Sequence, residues 1–505
     1  MEADTRTADG TGETTSTLTA GPTSHRGARG ASAWWSRPVV ILLAVTALAA
    51  GLRFYHVSAP HEYVFDEVYY AKDACFLAGF PFRQCKLQSP NEQSFTVHPP
   101  LGRWIIAGGE AAFGNRPFGW RFASAVFGTL SVLLTALLAY VLFGSGAWAG
   151  VAGLLLATES LNFVQSRTSM LDIILTAFVV AGFLCIALDR WWMERRTPPS
   201  ERSRDAAASS PAAPPSTLPP APPDEVPSPI FRPWRLAAGL AFGAAVATKW
   251  SGALALLGGL VLAIGWEITR RRRARLAWGQ AIWQTVRDEG FGIFLFVILV
   301  PLAVYIASYA RYFASEGVHP TAWLKLQVDM ANFSLDLRAT HPYASRPWTW
   351  PLLIRPVSYF YKGTGTGPTA TSAEILGMGN PAVFWGGLMA LVWTGIAWIG
   401  RRDWRGALIV VAFAAQYFPW FAVARTAFLF YMTPMTPFLV LAGTYGVRDL
   451  WEARIGNPPI RALAPLAVLL VVTAVGMFAF FFPILTGRTI PYDAWHTRMW
   501  FRTWI

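Results

Sequence analysis

The chain is poor in charged residues and in cysteine. Charged residues make up only 14% of its 505 residues, whereas 54% are hydrophobic. This balance excludes an ordinary soluble domain and predicts a polytopic membrane protein. The three cysteines make neither a disulfide scaffold nor a zinc site.

Several signatures of other protein classes are also missing. The sequence has no P-loop and no Rossmann fingerprint, so we expect no nucleotide site. It has no evident internal repeat, which disfavours a secondary transporter because many transporters are built from repeats.

The formal net charge of +13 comes from arginine. Lysine occurs only at Lys72, Lys86, Lys249, Lys325 and Lys362. In a soluble protein such a charge would suggest a nucleic-acid partner. Here the arginines cluster in short loops between apolar stretches, where basic residues set membrane topology, so we expect no nucleic-acid partner.

Eleven apolar stretches are candidate membrane spans, and one further candidate is shorter. The eleven begin near residues 38, 119, 146, 169, 234, 250, 290, 381, 407, 427 and 462. Some are shorter than the roughly 20 residues that a span usually needs. The short candidate, Leu101–Phe113, contains Glu110 and two glycines. Whether it crosses the membrane decides the sidedness of everything after it.

The arginine clusters settle this choice. They lie at Arg195-Arg196, at Arg270 to Arg273, at Arg401-Arg402, and at Arg448, Arg454 and Arg461. If Leu101–Phe113 does not cross, all four clusters share a side with the arginines of the N-terminal tail. The positive-inside rule therefore predicts eleven spans, a cytoplasmic N-terminus and an outer C-terminus. Leu101–Phe113 becomes an amphipathic helix along the outer surface.

This topology divides the chain into a tail and a membrane domain with long connecting segments. Residues 1–37 are predicted to be a disordered cytoplasmic tail, and residues 38–505 the transmembrane domain. Within the domain we expect outer segments at 54–118, 313–380 and 486–505, and a proline-rich cytoplasmic linker at 191–232.

An acidic pair, Asp66-Glu67, follows the first apolar segment in the outer loop. Ionised groups at membrane depth are costly and usually functional. Later in the loop, His98-Pro99-Pro100 precedes the predicted surface helix, because proline suits a first helical turn. Carboxylates facing outward beside the lipid predict chemistry on a lipid-borne substrate.

Further charges lie at the predicted outer ends of different helices. They are Arg103, Arg121, Arg167, Asp172, Lys249 and Arg425. Arginine and lysine suit phosphate through charge-assisted hydrogen bonds. Each cation alone is explained as well by anchoring its helix at the interface. Their grouping favours a site where cations hold a lipid phosphate and a carboxylate accepts a proton.

Several short segments occur in a characteristic order and spacing. They are Phe65-Asp66-Glu67, His98-Pro99-Pro100-Leu101-Gly102-Arg103, Arg121 before Phe122-Ala123-Ser124-Ala125, Gln165-Ser166-Arg167 with Leu171-Asp172, and Thr248-Lys249-Trp250. Together they resemble the protein O-mannosyltransferases, membrane glycosyltransferases with the GT-C fold. Thr340-His341-Pro342-Tyr343, Trp348-Thr349-Trp350-Pro351, Phe430-Tyr431-Met432-Thr433-Pro434 and the aromatic tail from Trp495 to Trp504 are similar to the bacterial branch.

The chain departs from this family pattern in two places. The 313–380 segment has no room for the large β-trefoil domain inserted in eukaryotic members. Arg103 stands where many relatives have lysine, which keeps the charge but changes the geometry of a phosphate contact.

The resemblance implies an all-α polytopic GT-C fold, with about 11 transmembrane helices and extracytoplasmic juxtamembrane helices. It implies the plasma membrane of a bacterium, with the active site on the extracytoplasmic side. The donor would be polyprenyl-phosphate mannose, the acceptor a Ser or Thr of an exported protein, and the Sec translocon an expected partner. We expect no other cofactor. A divalent cation has no support, because His98 and His341 lack the close spacing of zinc ligands.

The resemblance also assigns roles to the candidate residues. Asp66 is the expected general base, and Glu67 would orient the acceptor peptide or raise the pKa of Asp66. The cations, led by Arg121, would stabilise charge on the departing lipid phosphate, with inversion at the anomeric carbon. His98, His341 and Tyr431 would support the site, and Tyr492, His496 and Trp500 of the tail would close over it.

Cys75 and Cys85 share an oxidising compartment, in which a disulfide between them is chemically allowed.

Three other interpretations stay open at this point. The same fold would serve another polyprenyl-phosphate-sugar transferase that acts on lipid or cell-wall glycan. A transporter or flippase would instead place its charges within the spans, facing a cavity. A pseudoenzyme would bind the lipid phosphate without transferring the sugar.

Overall fold

The computed structural model describes residues 33–87, 97–196, 232–338, 340–455 and 460–505. The first helix begins at Ala33, inside the segment predicted as a tail, and the rest of that tail lies outside the described residues. Most of the predicted linker, residues 197–231, also lies outside them. The described chain is mostly helical, as predicted.

Among the described residues, seven helical stretches are long and apolar enough to cross a membrane, so the chain is a multi-pass membrane protein. They are Pro117–Phe143, Leu171–Arg195, Gly252–Arg273, Trp278–Ala307, Pro381–Arg401, Trp404–Ala422 and Ala464–Leu485. Four shorter helices complete the predicted order: Pro38–Phe54, Gly146–Ala157, Pro233–Thr248 and Thr436–Glu452. The count of eleven spans, and their sidedness, stay predictions.

Besides the first helix, two of the eleven helices begin well away from their predicted positions. The helix expected from about residue 290 starts at Trp278, because the charges of its first half have buried partners on neighbouring helices. The helix expected from about residue 427 starts at Thr436. A 3₁₀ segment, Leu429–Met435, precedes it, and Pro434 and Pro437 interrupt the α-helical bonding there.

Leu101–Phe113 forms a separate helix of 13 residues, which we call the surface helix. At 1.5 Å per residue it measures about 20 Å, short of the roughly 30 Å hydrocarbon core. It packs against Pro117–Phe143 and against Glu67–Leu77. Cys75 of the latter helix forms a disulfide with Cys85, so the pairing that the sequence left open is made.

A small antiparallel sheet adds to the helices. Strand β1 spans Val357–Thr364, β2 spans Thr371–Gly377 and β3 spans Ile490–Pro491, in the order β1-β2-β3. The sheet joins the predicted outer segment 313–380 to the C-terminal tail. The predicted all-α fold is corrected here, because these strands are short and carry no alternating apolar pattern.

The remaining described elements are further helical segments, of which Phe294–Leu299 and Phe418–Ala422 belong to stretches given above. They are Ser160–Gln165, Phe294–Leu299 (a π-helical turn), Ala310–Glu316, Pro320–Asp336, Pro347–Thr349, Gly367–Thr369, Phe418–Ala422, Tyr492–His496 and Arg502–Trp504.

The helix Leu171–Arg196, called here the central helix, packs against Pro117–Phe143 and Pro233–Thr248. Its Gly182 faces the ring of Phe242, where a Cβ atom would lie 2.5 Å from the ring. Small residues allow such close helix contact in membrane proteins. The central helix carries Asp172 in its first turn and Asp189 near its other end, about 25 Å away along the axis.

A buried charge cluster lies around Asp189, far from Asp172. Its members are Asp189, Arg232, Arg235, Glu267, Arg271 and Glu289. Arg232 contacts the carboxylates of Asp189 and Glu267 at 2.5 Å each, and Arg235 contacts Glu289 at 2.5 Å. The cluster ties together four helices at the end of the molecule opposite the acidic pair.

Candidate active site

Asp66 stands immediately before the helix Glu67–Leu77, inside the predicted outer segment 54–118. It is half-buried, and within the described residues no side-chain hydrogen bond links its carboxylate to the helix N-terminus. Burial raises the pKa of Asp66 to about 6, with a further increase from Asp172 and an opposing effect of Lys249. A carboxylate with this pKa is ionised at neutral pH and is a stronger base than an ordinary aspartate.

Glu67 and Arg121 form a fully buried ion pair. Nε and Nη2 of Arg121 donate to the two carboxylate oxygens of Glu67 at 2.8 and 2.9 Å. The other donors of Arg121 reach the backbone carbonyls of Val57, Pro60 and Glu62 at 2.9 to 3.1 Å. All five N–H groups of this guanidinium are therefore used by the protein itself.

The carboxylate of Glu67 also accepts two backbone N–H bonds. Val64 donates at 3.0 Å, and Ser169, just before the central helix, donates at 3.0 Å. Glu67 thus links the acidic-pair loop, the Pro117–Phe143 helix and the start of the central helix. Its carboxylate therefore holds three segments of the protein together. This structural role differs from the predicted role of orienting an acceptor peptide.

Arg167 and Arg103 are likewise buried and engaged. Arg167 donates to the carbonyls of Arg53 and His56 at 3.1 and 3.2 Å, at the C-terminal end of the first helix. Arg103 pairs with Asp73 at 2.9 Å and also donates to the carbonyl of His98 at 2.6 Å. Both arginines therefore hold outer segments in place.

Lys249 and Asp172 meet beside an open cavity. Lys249 follows the last turn of Pro233–Thr248, and its Nζ lies 2.8 and 3.0 Å from the two carboxylate oxygens of Asp172. The same Nζ lies 4.8 Å from the ring centre of Tyr431. The cavity is small, with a volume of about 10 Å³, and Gln416 and Trp420 line it together with these three residues.

Arg425 lies at the edge of the same region. It is half-buried, and its Nη2 is 3.5 Å from the hydroxyl of Tyr431. Its Nε has no hydrogen-bond partner among the described residues. Of the predicted phosphate ligands, Arg425 and Lys249 are the two that the structure brings to Tyr431.

The supporting histidines have different surroundings. Burial, with the positive charges of Lys249, Arg103 and Arg425, lowers the pKa of His98 well below its usual value, so His98 is neutral. His341 is exposed and packs edge-on against Phe428, with ring centres 5.0 Å apart. Within the described chain, no group of three or more His, Cys, Asp or Glu residues is arranged to hold a metal ion.

The predicted tail residues lie at the sheet and at the end of the last long helix. Tyr492 packs near His496, with ring centres 6.0 Å apart, and Trp500 packs on Phe481 at 4.9 Å. Pairing of β3 with β2 and a hydrogen bond of 2.6 Å from Trp495 to Glu374 attach the tail to the sheet, and Trp500 attaches it to Ala464–Leu485. Closure over Asp66 stays a prediction.

Sequence reasoning missed the aromatic wall next to Asp66. Tyr359 of β1 stacks on Phe65 with ring centres 4.6 Å apart, and Phe430 meets both rings edge-on. Gln165 donates a hydrogen bond of 2.7 Å to the Tyr359 hydroxyl. Gln165 belongs to a segment that the sequence singled out, whereas Tyr359 lies about 290 residues from Phe65 and carries no local signal.

The fold defines the class of protein. The chain resembles a solved Saccharomyces cerevisiae protein O-mannosyltransferase, the Pmt1–Pmt2 complex bound to the sugar donor. The TM-score is 0.69 at 13% identity, with 93% of each chain covered. It also resembles ArnT from Cupriavidus metallidurans bound to undecaprenyl phosphate, with a TM-score of 0.52 at 16% identity, covering 91% of this chain and 77% of ArnT. The fold is that of the GT-C membrane glycosyltransferases.

Sequence comparisons define the family. Residues 43–204 match the dolichyl-phosphate-mannose-protein mannosyltransferase family, and residues 320–504 match the C-terminal four-transmembrane region of protein O-mannosyltransferase. A Mycolicibacterium smegmatis polyprenol-phosphate-mannose–protein mannosyltransferase is 32% identical, covering 91% of this chain and 92% of the relative. A Mycobacterium tuberculosis relative of the same name is 31% identical over 91% and 90%. The chain belongs to the protein O-mannosyltransferase family.

Proposed function

We propose that this protein transfers mannose from polyprenyl-phosphate mannose to serine or threonine hydroxyls of exported proteins. The observation that carries the proposal is the family membership over 91% of the chain. The half-buried Asp66 carboxylate, which interacts electrostatically with the cavity residues Lys249 and Asp172, supports the proposal as its chemical centre.

The proposed reaction is a direct displacement. The acceptor hydroxyl oxygen attacks the anomeric carbon of mannose, and its proton passes to Asp66. The bond from that carbon to the phosphate oxygen breaks, and its electron pair stays on the lipid phosphate. One displacement inverts the anomeric configuration, and no glycosyl-enzyme intermediate forms.

Lys249 and Arg425 are the proposed direct ligands of the lipid phosphate. They flank Tyr431, and charge developing on the leaving phosphate is stabilised by cations placed in advance. Asp172 holds Lys249 in position through two short contacts. Arg103, Arg121 and Arg167 are proposed to act indirectly, by holding the segments around the site in place through buried contacts. The sequence had suggested direct contacts with the lipid phosphate instead.

The proposed site faces the extracytoplasmic side of a bacterial plasma membrane, with the N-terminus in the cytoplasm. The arginine clusters support this sidedness through the positive-inside rule. On that side an acceptor leaving the secretion translocon would reach Asp66 before it folds.

The first test is mannose transfer by purified enzyme or membranes. Labelled polyprenyl-phosphate mannose is supplied with a Ser/Thr-containing peptide, and product is measured for wild type and for Asp66→Asn. We expect Asp66→Asn to lose about 10²-fold or more in rate, since general base catalysis contributes about 10² to 10⁴.

Asp329→Asn is the matched control, because Asp329 is an exposed aspartate of the outer segment. It should transfer mannose at the wild-type rate. Full activity of Asp66→Asn would refute the base assignment. Transfer to lipid or glycan acceptors, with none to peptide, would favour the other polyprenyl-phosphate-sugar transferase.

A further inference from the structure

The backbone at Phe65, directly before Asp66, has an unusual conformation. Its φ is +47°, a region that bulky residues rarely adopt. The N–H of Glu67 bonds to the carbonyl of Val64 at 3.0 Å, which closes a four-residue turn with Phe65 and Asp66 at its centre. A positive φ at the first central position only is the pattern of a type II′ turn, where glycine is usual.

Aromatic contacts hold Phe65 in this turn. Its ring is parallel to that of Tyr359, at an angle of 1° and a centre distance of 4.6 Å. Phe430 closes the arrangement edge-on at 5.6 Å from Phe65. Tyr359 is only 5% exposed, and the hydrogen bond from the fully buried Gln165 fixes its hydroxyl.

An irregularity in strand β1 directs the Tyr359 side chain toward this turn. Ser358 pairs with Leu376 and Phe360 pairs with Ile375, so Tyr359 is the extra residue of a β-bulge. Bulges re-aim a side chain and are common next to active sites. On the neighbouring strand Gly377 leaves room for the ring, since a Cβ there would lie 2.9 Å from Cε1 of Tyr359.

We propose that Tyr359, fixed by Gln165, is a positioning residue that keeps Phe65 in its left-handed conformation and thereby aims the Asp66 carboxylate at the acceptor hydroxyl. The proposal rests on the proposed function, because it takes Asp66 as the base. A displacement of about 1 Å at a reacting group costs as much as about 10²-fold in rate. The sheet thus sets the geometry of a base that lies far from it in sequence.

The experiment measures kcat and donor KM per folded enzyme for Tyr359→Ala, Tyr359→Phe and Tyr361→Ala. We expect Tyr359→Ala to lower kcat by about 10- to 100-fold with donor KM unchanged, since the base acts in the transition state. Tyr359→Phe keeps the stacked ring and should keep most of kcat. Tyr361 lies on the same strand but packs on Trp495, so Tyr361→Ala is the matched control.

Two double variants test whether Tyr359 acts through the turn and through Asp66. Glycine adopts positive φ freely, so in a Phe65→Gly background the Tyr359→Ala change should cost much less than in wild type. In an Asp66→Asn background, Tyr359→Ala should cause no further loss, because coupled residues are not additive.

An equal loss in the Asp66→Asn background, or wild-type kcat for Tyr359→Ala, would overturn the positioning role. Full activity of Asp66→Asn alone would instead refute the proposed base, so the two failures are distinguishable. If Tyr359→Ala does not fold, Tyr359→Leu keeps the apolar volume without the stacked ring. The same kcat loss is expected from it, and wild-type kcat would refute the proposal.

Discussion

At the scale of single residues, opposing effects tune Asp66. Burial and Asp172 favour its neutral form, whereas Lys249 favours the carboxylate. Asp66 also interacts electrostatically with the hydroxyl groups of Tyr70, Tyr359 and Tyr431. Asp66 is therefore ionised at neutral pH while remaining a stronger base than an exposed aspartate.

The pH dependence of transfer follows from this balance. A base with a pKa of about 6 must lose its proton to act, so the rate should rise through about pH 6 and level off above about 7. Removing the positive charge in Lys249→Met should move the profile to higher pH as well as lower the rate. The measurement is kcat/KM as a function of pH.

The exposed Lys325→Met provides the control, and its profile should match wild type. A wild-type rate that stays flat between about pH 5 and 8 would contradict the role of Asp66, since a base with this pKa must change protonation within that range.

At the scale of elements, buried ion pairs position the outer segments. The Glu67–Arg121 pair joins the outer loop to one long helix and, through Ser169, to the start of the central helix. Arg103 with Asp73 joins the surface helix to Glu67–Leu77. Asp66, the proposed base, lies next to Glu67, so its position depends on these buried ion pairs.

Arg121→Leu should destabilise the protein strongly, because it leaves the Glu67 carboxylate buried without its cation. Breaking a buried pair in this way costs about 3–5 kcal/mol. We expect a clear fall in the thermal unfolding temperature of the detergent-solubilised protein. The change of Arg121 and Glu67 together to leucine should recover part of the loss.

The Arg448–Glu452 pair is the control, because its glutamate side chain is 46% exposed and the pair is not buried. Arg448→Ala should leave the unfolding temperature almost unchanged. An Arg121→Leu protein with wild-type thermal stability but no transfer would instead support a direct contact between Arg121 and the lipid phosphate.

At the scale of the whole molecule, the two ends of the helical bundle carry different groups of buried charges. Asp172 and Lys249 lie at one end of the central helix, and the buried charge cluster lies around Asp189 at the other. The cluster contains carboxylates and guanidinium groups in close contact, and it joins four helices.

Arg232→Met should lower thermal stability and leave the chemistry of the remaining folded enzyme intact. The variant removes the arginine that contacts both Asp189 and Glu267 in a buried site, and leaves Asp189 with only the longer 3.6 Å contact of Arg235, whereas Asp66 is far away. We expect a reduced unfolding temperature together with an unchanged pH profile of transfer. A shifted pH profile would mean that the cluster is coupled to the base.

Much of this architecture was readable from the sequence. Apolar runs predicted the helices, because a span must satisfy its backbone bonds within itself and be covered by apolar side chains. The motifs around Asp66, Gln165 and Lys249 indicated the family, which the comparisons confirm. Helix starts at Trp278 and Thr436 were misplaced, because buried ion pairs and a 3₁₀ segment between prolines shift the boundaries.

The sequence by itself determined that this is a membrane protein with an acidic pair and a set of candidate cations, and it predicted that they lie on the outer side. Only the tertiary structure decided which partner each of them has. Arg121 meets Glu67, whereas Lys249 meets Asp172 beside the cavity. Tyr359 reaches Phe65 across the chain through a β-bulge. Partner choice depends on which groups the packed helices and sheet bring within about 3 Å, and no local pattern encodes that distance.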